Sequence, residues 1–502
     1  MPRTARISTP MEAAKESTIV VPVVFDETQA FIAESVPMVL SGQSIPRTLT
    51  KAWCSARGMK DEAGSFVVLR SIEGSTVVLV SLGSSYNALE NYRLAGASAL
   101  RCGGDATVAF LLPTEGIEDP AAVASALVQG ALLSSYTFKG AQSDASFDVV
   151  PLGSPLPSVS THDAVAAGVA KGMIIANAVN WAKRLIDSPP ASMPPKELAR
   201  QVELRLGDDP HVRVESWNET RIKEERLGGL LGVGQGSAQP TRLVYATYDP
   251  QPGAPLPHVA LVGKGVTFDS GGLSLKSGDG MMTMKTDMTG AAVVMCALSV
   301  ASRLGIGVRL TAIAPMTENL PSDKAVKPGD TLTFRNGMSA EVLNTDAEGR
   351  LILADGLSLA VEAEPDAIVD VATLTGAQNV ALGDEIGALF ASTDELAAYF
   401  SDASLKSGEA LWRMPLYDGY ESHIESDVAD MKNIGKPGKA GAISAALFLR
   451  RFTAGRPWVH LDIAGPGRCD ANRGYVTKGG TAFGARTIVE FLEAVARDGA
   501  RD

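Results

Sequence analysis

Cysteine is scarce: the chain has four in 502 residues, and Cys54, Cys102, Cys296 and Cys469 lie far apart with no C-x-x-C pair. That spacing excludes a readable zinc ribbon or disulfide framework and suits a reducing cytosol, so a cytoplasmic protein is expected. Basic charge is in deficit as well. A formal net charge of −12 repels phosphate backbones and anionic membranes and disfavours nucleic acid as the main ligand. No apolar run reaches membrane-spanning length, so no membrane association is expected. The stretch Ile19 to Phe25, although it follows Arg3, Arg6 and Lys15, is too short and too strand-like for a signal sequence. Internal repeats and low-complexity tracts are absent too.

What remains is the composition of an ordinary globular chain, 45% hydrophobic and 20% charged, and its length favours two or more domains. From about Thr18 to Leu152, short β-branched runs (TIVVPVVF, SFVVLRSI, STVVLVSL, ATVAFLLP) alternate with Ala-rich stretches at Tyr92 to Arg101 and Pro120 to Leu133. This alternation predicts a small α/β domain. Ser158 to Asp187 carries a long helical pattern that Ser188-Pro189-Pro190 ends. Beyond it, HVALVGKGVTF, VRLTAIAPM and DAIVDVATLTGA are near-continuous apolar strands beside Ala-rich helices, the pattern of a mostly parallel sheet covered on both faces. The fold class is therefore α/β. We expect a smaller N-terminal domain over residues 1–165, a connecting helix over 166–190, and a larger domain over 191–502.

Three polar clusters interrupt the apolar region, each expected where a strand runs out into a loop, the usual ligand position of open α/β sheets. VGKGVTFDSGGLSLK holds Lys264, Asp269 and Lys276, with glycines that let the backbone bend sharply. In MKTDMTGAAVVMCAL, Asp287 opens a helical pattern, and NTDAEGRLILADGL places Asp346, Glu348 and Arg350 at alternate positions. The five histidines (His162, His211, His258, His423, His460) all fall outside residues 259–376, so His-based zinc triads are not available there. Clustered carboxylates raise one another's pKa unless a cation neutralises them. Two divalent cations held mainly by carboxylate oxygen, roughly 3.5 to 4 Å apart, would do so and would also acidify a water. Each residue also has a plain structural reading. Thr345 to Glu348 fits a T-x-x-E capping box, Asp287 suits a helix-terminal acid, and Lys276 and Arg350 taken singly suit a solvated surface.

Together these segments resemble the signature blocks of the leucine aminopeptidase (cytosol aminopeptidase) family, NTDAEGRL being highly specific to it. PMTENLPSDKAVKPGDTL, DVATLTGAQNVALG, LWRMPLYDGY, DVADMKNIGKPGKAGAISAALFL and WVHLDIAGP resemble it too, so the likeness covers roughly residues 175 to 490. The resemblance implies a metal-dependent leucyl aminopeptidase that releases N-terminal amino acids from peptide substrates. It implies two divalent ions, Mn or Zn, one on Lys264, Asp269, Asp287 and Glu348 and the other on Asp269, Asp346 and Glu348. Lys264 would ligate as a neutral amine, which requires a strongly depressed pKa. Lys276 would polarise the scissile carbonyl and stabilise the gem-diolate. Arg350 would hold a bicarbonate ion as general base, and Met284, Thr373 and Leu374 would line the substrate pocket. A homohexamer is implied as well. Thr289 departs from the family pattern, standing where a glycine is usual, and removes no ligand.

Three rival classes stand beside this reading. A two-metal phosphoesterase could use the same carboxylates with Lys276 and Arg350 on phosphate. Gly232-Val233-Gly234-Gln235-Gly236 hints at a nicotinamide-linked oxidoreductase, although the fingerprint is incomplete. Some family members double as DNA-binding regulatory proteins, a role that would fall on the N-terminal domain, which lacks a basic run.

Overall fold

The computed structural model describes residues 4–8, 18–27, 29–33, 39–40, 43–44, 48–70, 76–85, 87–104, 106–139, 146–152 and 158–499. Arg3 and Lys15 lie outside them. The chain forms two compact units, residues 1–180 with 471–478 and residues 181–470 with 479–502. The division falls inside one long helix, Val159–Asp187. In the first unit the β-branched runs become strands Thr18–Phe25, Phe66–Arg70, Thr76–Ser81 and Val108–Pro113, members of an eight-stranded sheet. The two Ala-rich stretches become helices Leu89–Gly103 and Pro120–Ser134. Small residues let these helices pack backbone to backbone: a Cβ on Gly130 would lie 1.9 Å from Arg93 O.

The second unit is built on a nine-stranded sheet: β1 (Val212–Trp217), β2 (Arg242–Tyr248), β3 (His258–Gly263), β4 (Gly265–Asp269), β5 (Arg309–Asn319), β6 (Ala367–Ala372), β7 (Gly387–Ala391), β8 (Leu411–Arg413) and β9 (Trp458–Asp462). Its order is β1-β2-β5-β3-β6-β9-β7-β8, with β4 also beside β5. Five of the eight pairings are parallel, and the antiparallel ones are β1 with β2, β2 with β5 and β7 with β9. The sheet is thus mixed, with a parallel centre. β3 and β6 are buried at every residue, which is why they read as unbroken apolar runs, whereas β2 alternates in burial.

Helices cover both faces. A Cβ on Gly263 of β3 would meet Gly290 and Val294 of α1 (Thr289–Leu304), while the neighbouring Val262 meets Gly356 of α2 (Gly349–Glu362). Successive strand residues point to opposite faces, so α1 and α2 lie on opposite sides of β3. Thr289, the departure from the family pattern, is accommodated because its buried hydroxyl donates to Thr286 O at 2.6 Å.

Val159–Asp187 and the stretch Gly278–Leu304 are both long and apolar enough to cross a membrane by length and composition. The second is 83% buried within the protein, as a helix enclosed in an α/β core must be apolar all round.

Asp355, fully buried on α2, links three segments: its Oδ2 accepts from Leu230 N at 2.9 Å and its Oδ1 from Arg335 N at 3.0 Å. Burial pushes its pKa up to about 7 despite these bonds. Asp355→Ala strands the buried Leu230 N–H at roughly 1 to 3 kcal/mol and the part-buried Arg335 N–H at about 1 kcal/mol. The urea midpoint of the variant is therefore expected to fall by an amount equivalent to about 2 to 4 kcal/mol, with an unchanged slope. An unaltered midpoint would show that water replaces the carboxylate without cost.

Candidate metal centre and active site

β3 stops at Gly263, and the chain steps sideways into β4, whose register against β5 shifts between Val266 and Phe268. Lys264 occupies the break. Its N–H donates to Val371 O at 3.1 Å, and its buried side chain runs past the start of α2. Glycine leaves room for it: a Cβ on Gly349 would lie 2.7 Å from Lys264 Nζ and displace the lysine. The ammonium is 2.8 Å from both Asp287 Oδ2 and Glu348 Oε1 and donates to Thr373 O at 3.0 Å. Asp287 Oδ1 in turn accepts from Thr373 Oγ1 at 2.8 Å.

Asp269 ends β4. Its Oδ1 accepts from Gly271 N and Asn319 Nδ2, both at 2.9 Å, and its Oδ2 is 2.8 Å from Lys276 Nζ. Lys276 also contacts Asp346 Oδ1. The bend at Gly271 has φ +87°, and a Cβ there would lie 2.9 Å from Asp346 Oδ1, so the close approach of the two loops depends on glycine. Asp269, Asp346 and Glu348 can each offer one oxygen within 4.8 Å of the others.

The capping-box reading of Thr345 and Glu348 does not hold. Glu348 stands at the N-cap position of α2 with no side-chain cap bond. Thr345 Oγ1 instead donates to Gly271 O at 2.6 Å and accepts from Ser274 N at 2.8 Å. Nor does the third cluster follow a strand of the main sheet. It lies between Ser339–Glu341, a strand of a separate three-stranded sheet, and α2.

Electrostatics favour a bound cation. Burial raises the pKa of Asp287, and Glu348 and Asp269 add to the rise against Lys264. Burial likewise raises Glu348 and Asp346, with Asp269 contributing to both. Burial opposes the charged forms of both lysines. Asp287, Glu348 and Asp269 outweigh it at Lys264, and Asp269 and Asp346 outweigh it at Lys276, so both are held above the usual range. Burial, partly offset by Glu348 and Asp462, lowers Arg350 to about 10. Four carboxylates thus face two ammonium groups, and Glu348 Oε2 is buried with no hydrogen-bond partner. An orphaned carboxylate oxygen in an oxygen-rich, histidine-free pocket fits a divalent cation.

Lys264, Asp269, Lys276, Asp287, Asp346 and Glu348 therefore converge, with Thr373 bridging two of them. Arg350 follows in the first turn of α2, buried, with Nε unpartnered. Met284 opens the short 3-10 helix Met284–Thr286 just before Asp287. Leu374 packs against the core beside Thr373. Two residues that the sequence reading missed also contribute. Asn319 joins Asp269 to Thr345 O, the latter at 2.9 Å. Asp462 accepts from the backbone of Leu374 and Thr375. Each is the last residue of its strand, Arg309–Asn319 or Trp458–Asp462. The glycines of 232–236 belong not to a strand-to-helix turn but largely to the helix Gly228–Gly234, where Gly232 packs on Leu332 and Gly234 on Thr241.

Residues 180–489 match the cytosol aminopeptidase family, catalytic domain, and residues 42–145 match its N-terminal domain. A probable cytosol aminopeptidase of Leifsonia xyli subsp. xyli is 43% identical, covering 87% of this chain and 88% of that one. One from Chlorobaculum tepidum is 41% identical over 84% and 86%. Among solved structures, the bottromycin maturation enzyme BotP in complex with Mn has a TM-score of 0.82 at 34% identity, covering 96% of this chain and all of that one (100%). A mutant of tomato leucine aminopeptidase also gives 0.82, at 29% identity over 98% and 96%. These matches favour neither a phosphoesterase nor a DNA-binding regulator. Motif, fold and charge arrangement agree: the chain belongs to the cytosol aminopeptidase family and is a metal-dependent aminopeptidase.

Proposed function

We propose that the enzyme removes leucine and other apolar residues from the N-termini of peptides, using two divalent ions, Mn or Zn. Lys264, Asp269, Asp287 and Glu348 would hold one ion and Asp269, Asp346 and Glu348 the other, so that Asp269 and Glu348 bridge. The observation that carries this reading is the unpartnered Glu348 Oε2, buried among raised-pKa carboxylates. Bound there, the ions supply Lewis acidity and a water acidified to a nucleophile near neutral pH.

Lys264 joins the ligand set only as a neutral amine, after losing the proton that Asp287 and Glu348 otherwise stabilise. Lys276, tethered by Asp269 and Asp346, keeps its ammonium aimed into the site, where it donates to the substrate oxygen on which negative charge develops. Arg350, a buried cation with an unused N–H, suits a planar anion such as bicarbonate that accepts the water's proton. Met284, Thr373 and Leu374 line the side-chain pocket. One methylene discriminates by only about 1 to 3 kcal/mol, so several apolar residues are accepted.

Two expected outcomes follow. Chelator-stripped enzyme releases no p-nitroaniline from leucine p-nitroanilide, and Mn²⁺ restores release; full activity after stripping would refute the metal dependence. We propose further that the enzyme is a cytoplasmic homohexamer. Light scattering is then expected to give the mass of six chains, and a stable, active monomer would contradict this.

A further inference from the structure

We propose that Asp462 is the positioning residue that sets the geometry of one half of the metal centre, the half that contains Lys264 and Asp287. The inference rests on the ligand assignment above. Asp462 ends β9 and is 1% exposed, paired with Ala372 at the end of β6. Its Oδ1 accepts from Leu374 N at 3.1 Å and from Thr375 N and Ala464 N at 3.3 Å, and its Oδ2 accepts from Thr375 Oγ1 at 2.6 Å. One carboxylate thus clamps the turn that leaves β6 onto the end of the neighbouring strand.

The other side of that turn faces the ligands. The carbonyl of Thr373 accepts from Lys264 Nζ at 3.0 Å, and its hydroxyl donates to Asp287 Oδ1 at 2.8 Å. Asp462 therefore holds the turn that carries Thr373, and Thr373 orients both Lys264 and Asp287. Asp269 and Asp346 draw their supports elsewhere: Asn319 and Gly271 hold Asp269, while Lys276 contacts both Asp269 and Asp346, and Glu348 alone shares Lys264 with the clamped half. The clamp therefore acts mainly on the ion that Lys264 and Asp287 would hold, while the other keeps the independent supports of Asp269 and Asp346. A side chain with a merely structural role would weaken both sites together or neither. Outer-shell partners that orient ligands typically control affinity by about 10- to 100-fold.

The test is the Mn²⁺ binding isotherm of chelator-stripped protein, with folding followed by circular dichroism. Wild type is expected to bind two ions per chain. Asp462→Ala is expected to keep one at wild-type affinity and to bind the other at least about 10-fold more weakly. Asp462→Asn keeps an oxygen for the backbone N–H groups, and its amide can donate to the Thr375 hydroxyl, so it is expected to restore the second site to within about threefold. In parallel, kcat is expected to fall in Asp462→Ala and to recover in Asp462→Asn. Folded Asp462→Ala with both affinities unchanged, or both equally reduced, would overturn the proposal. If Asp462→Ala does not fold, Thr373→Val decides. It removes only the hydroxyl that holds Asp287, and an unchanged pair of affinities there also overturns the proposal. Wild type that fails to bind two ions would refute the ligand assignment itself, an outcome separate from failure of the clamp.

Discussion

Glu348→Gln is expected to lower kcat/KM for leucine p-nitroanilide by about 10³-fold, roughly 4 kcal/mol of transition-state stabilisation. The substitution keeps the shape of the side chain and removes the charge proposed to bridge both ions. Stability should behave differently. Burial and Asp269 both oppose ionisation of Glu348, and Lys264 keeps Asp287 as a partner 2.8 Å away when the Glu348 charge is lost. The chelator-stripped variant is therefore expected to unfold at a midpoint close to that of stripped wild type, while its capacity for metal drops. A variant that is inactive because it is unfolded would not support the bridging role, and one that keeps wild-type activity would refute it.

Lys276→Met is expected to give a second, opposite signature. Removing a donor aimed at developing oxyanion charge typically costs about 10²- to 10³-fold in kcat. The same ammonium neutralises Asp269 and Asp346, so without it these carboxylates repel one another more and attract a dication more strongly. Turnover should therefore fall while Mn²⁺ binds at least as tightly as in wild type. Mn²⁺ titration beside steady-state kinetics separates the two effects. Loss of metal along with turnover would instead identify Lys276 as a structural support of the ligands.

These two residues are legible in the sequence because their spacing lies within continuous motifs. The centre of the sheet is legible for a related reason: β3 and β6 are buried on both faces and leave uninterrupted apolar runs. The edges are harder to read. β1 pairs antiparallel with β2 at the sheet's edge and is only partly buried, so it leaves no continuous apolar run. Asn319 and Asp462 lie inside stretches that resemble the family, yet nothing in the sequence singles them out. Each acts across strands that are neighbours only in the folded sheet, and no spacing in the chain joins either to the partners it holds. Thr345 and Glu348 show the converse. They satisfy a local capping pattern, yet Gly271 and Lys264 claim both side chains, because the tertiary contacts bury them together.

The most direct test of the two-ion centre is a crystal of Mn²⁺-loaded protein measured at the manganese absorption edge. The account predicts two anomalous peaks per chain, roughly 3.5 to 4 Å apart, both touching Asp269 and Glu348, one next to Lys264 and Asp287 and the other next to Asp346. A single peak, or peaks away from these carboxylates, would contradict it.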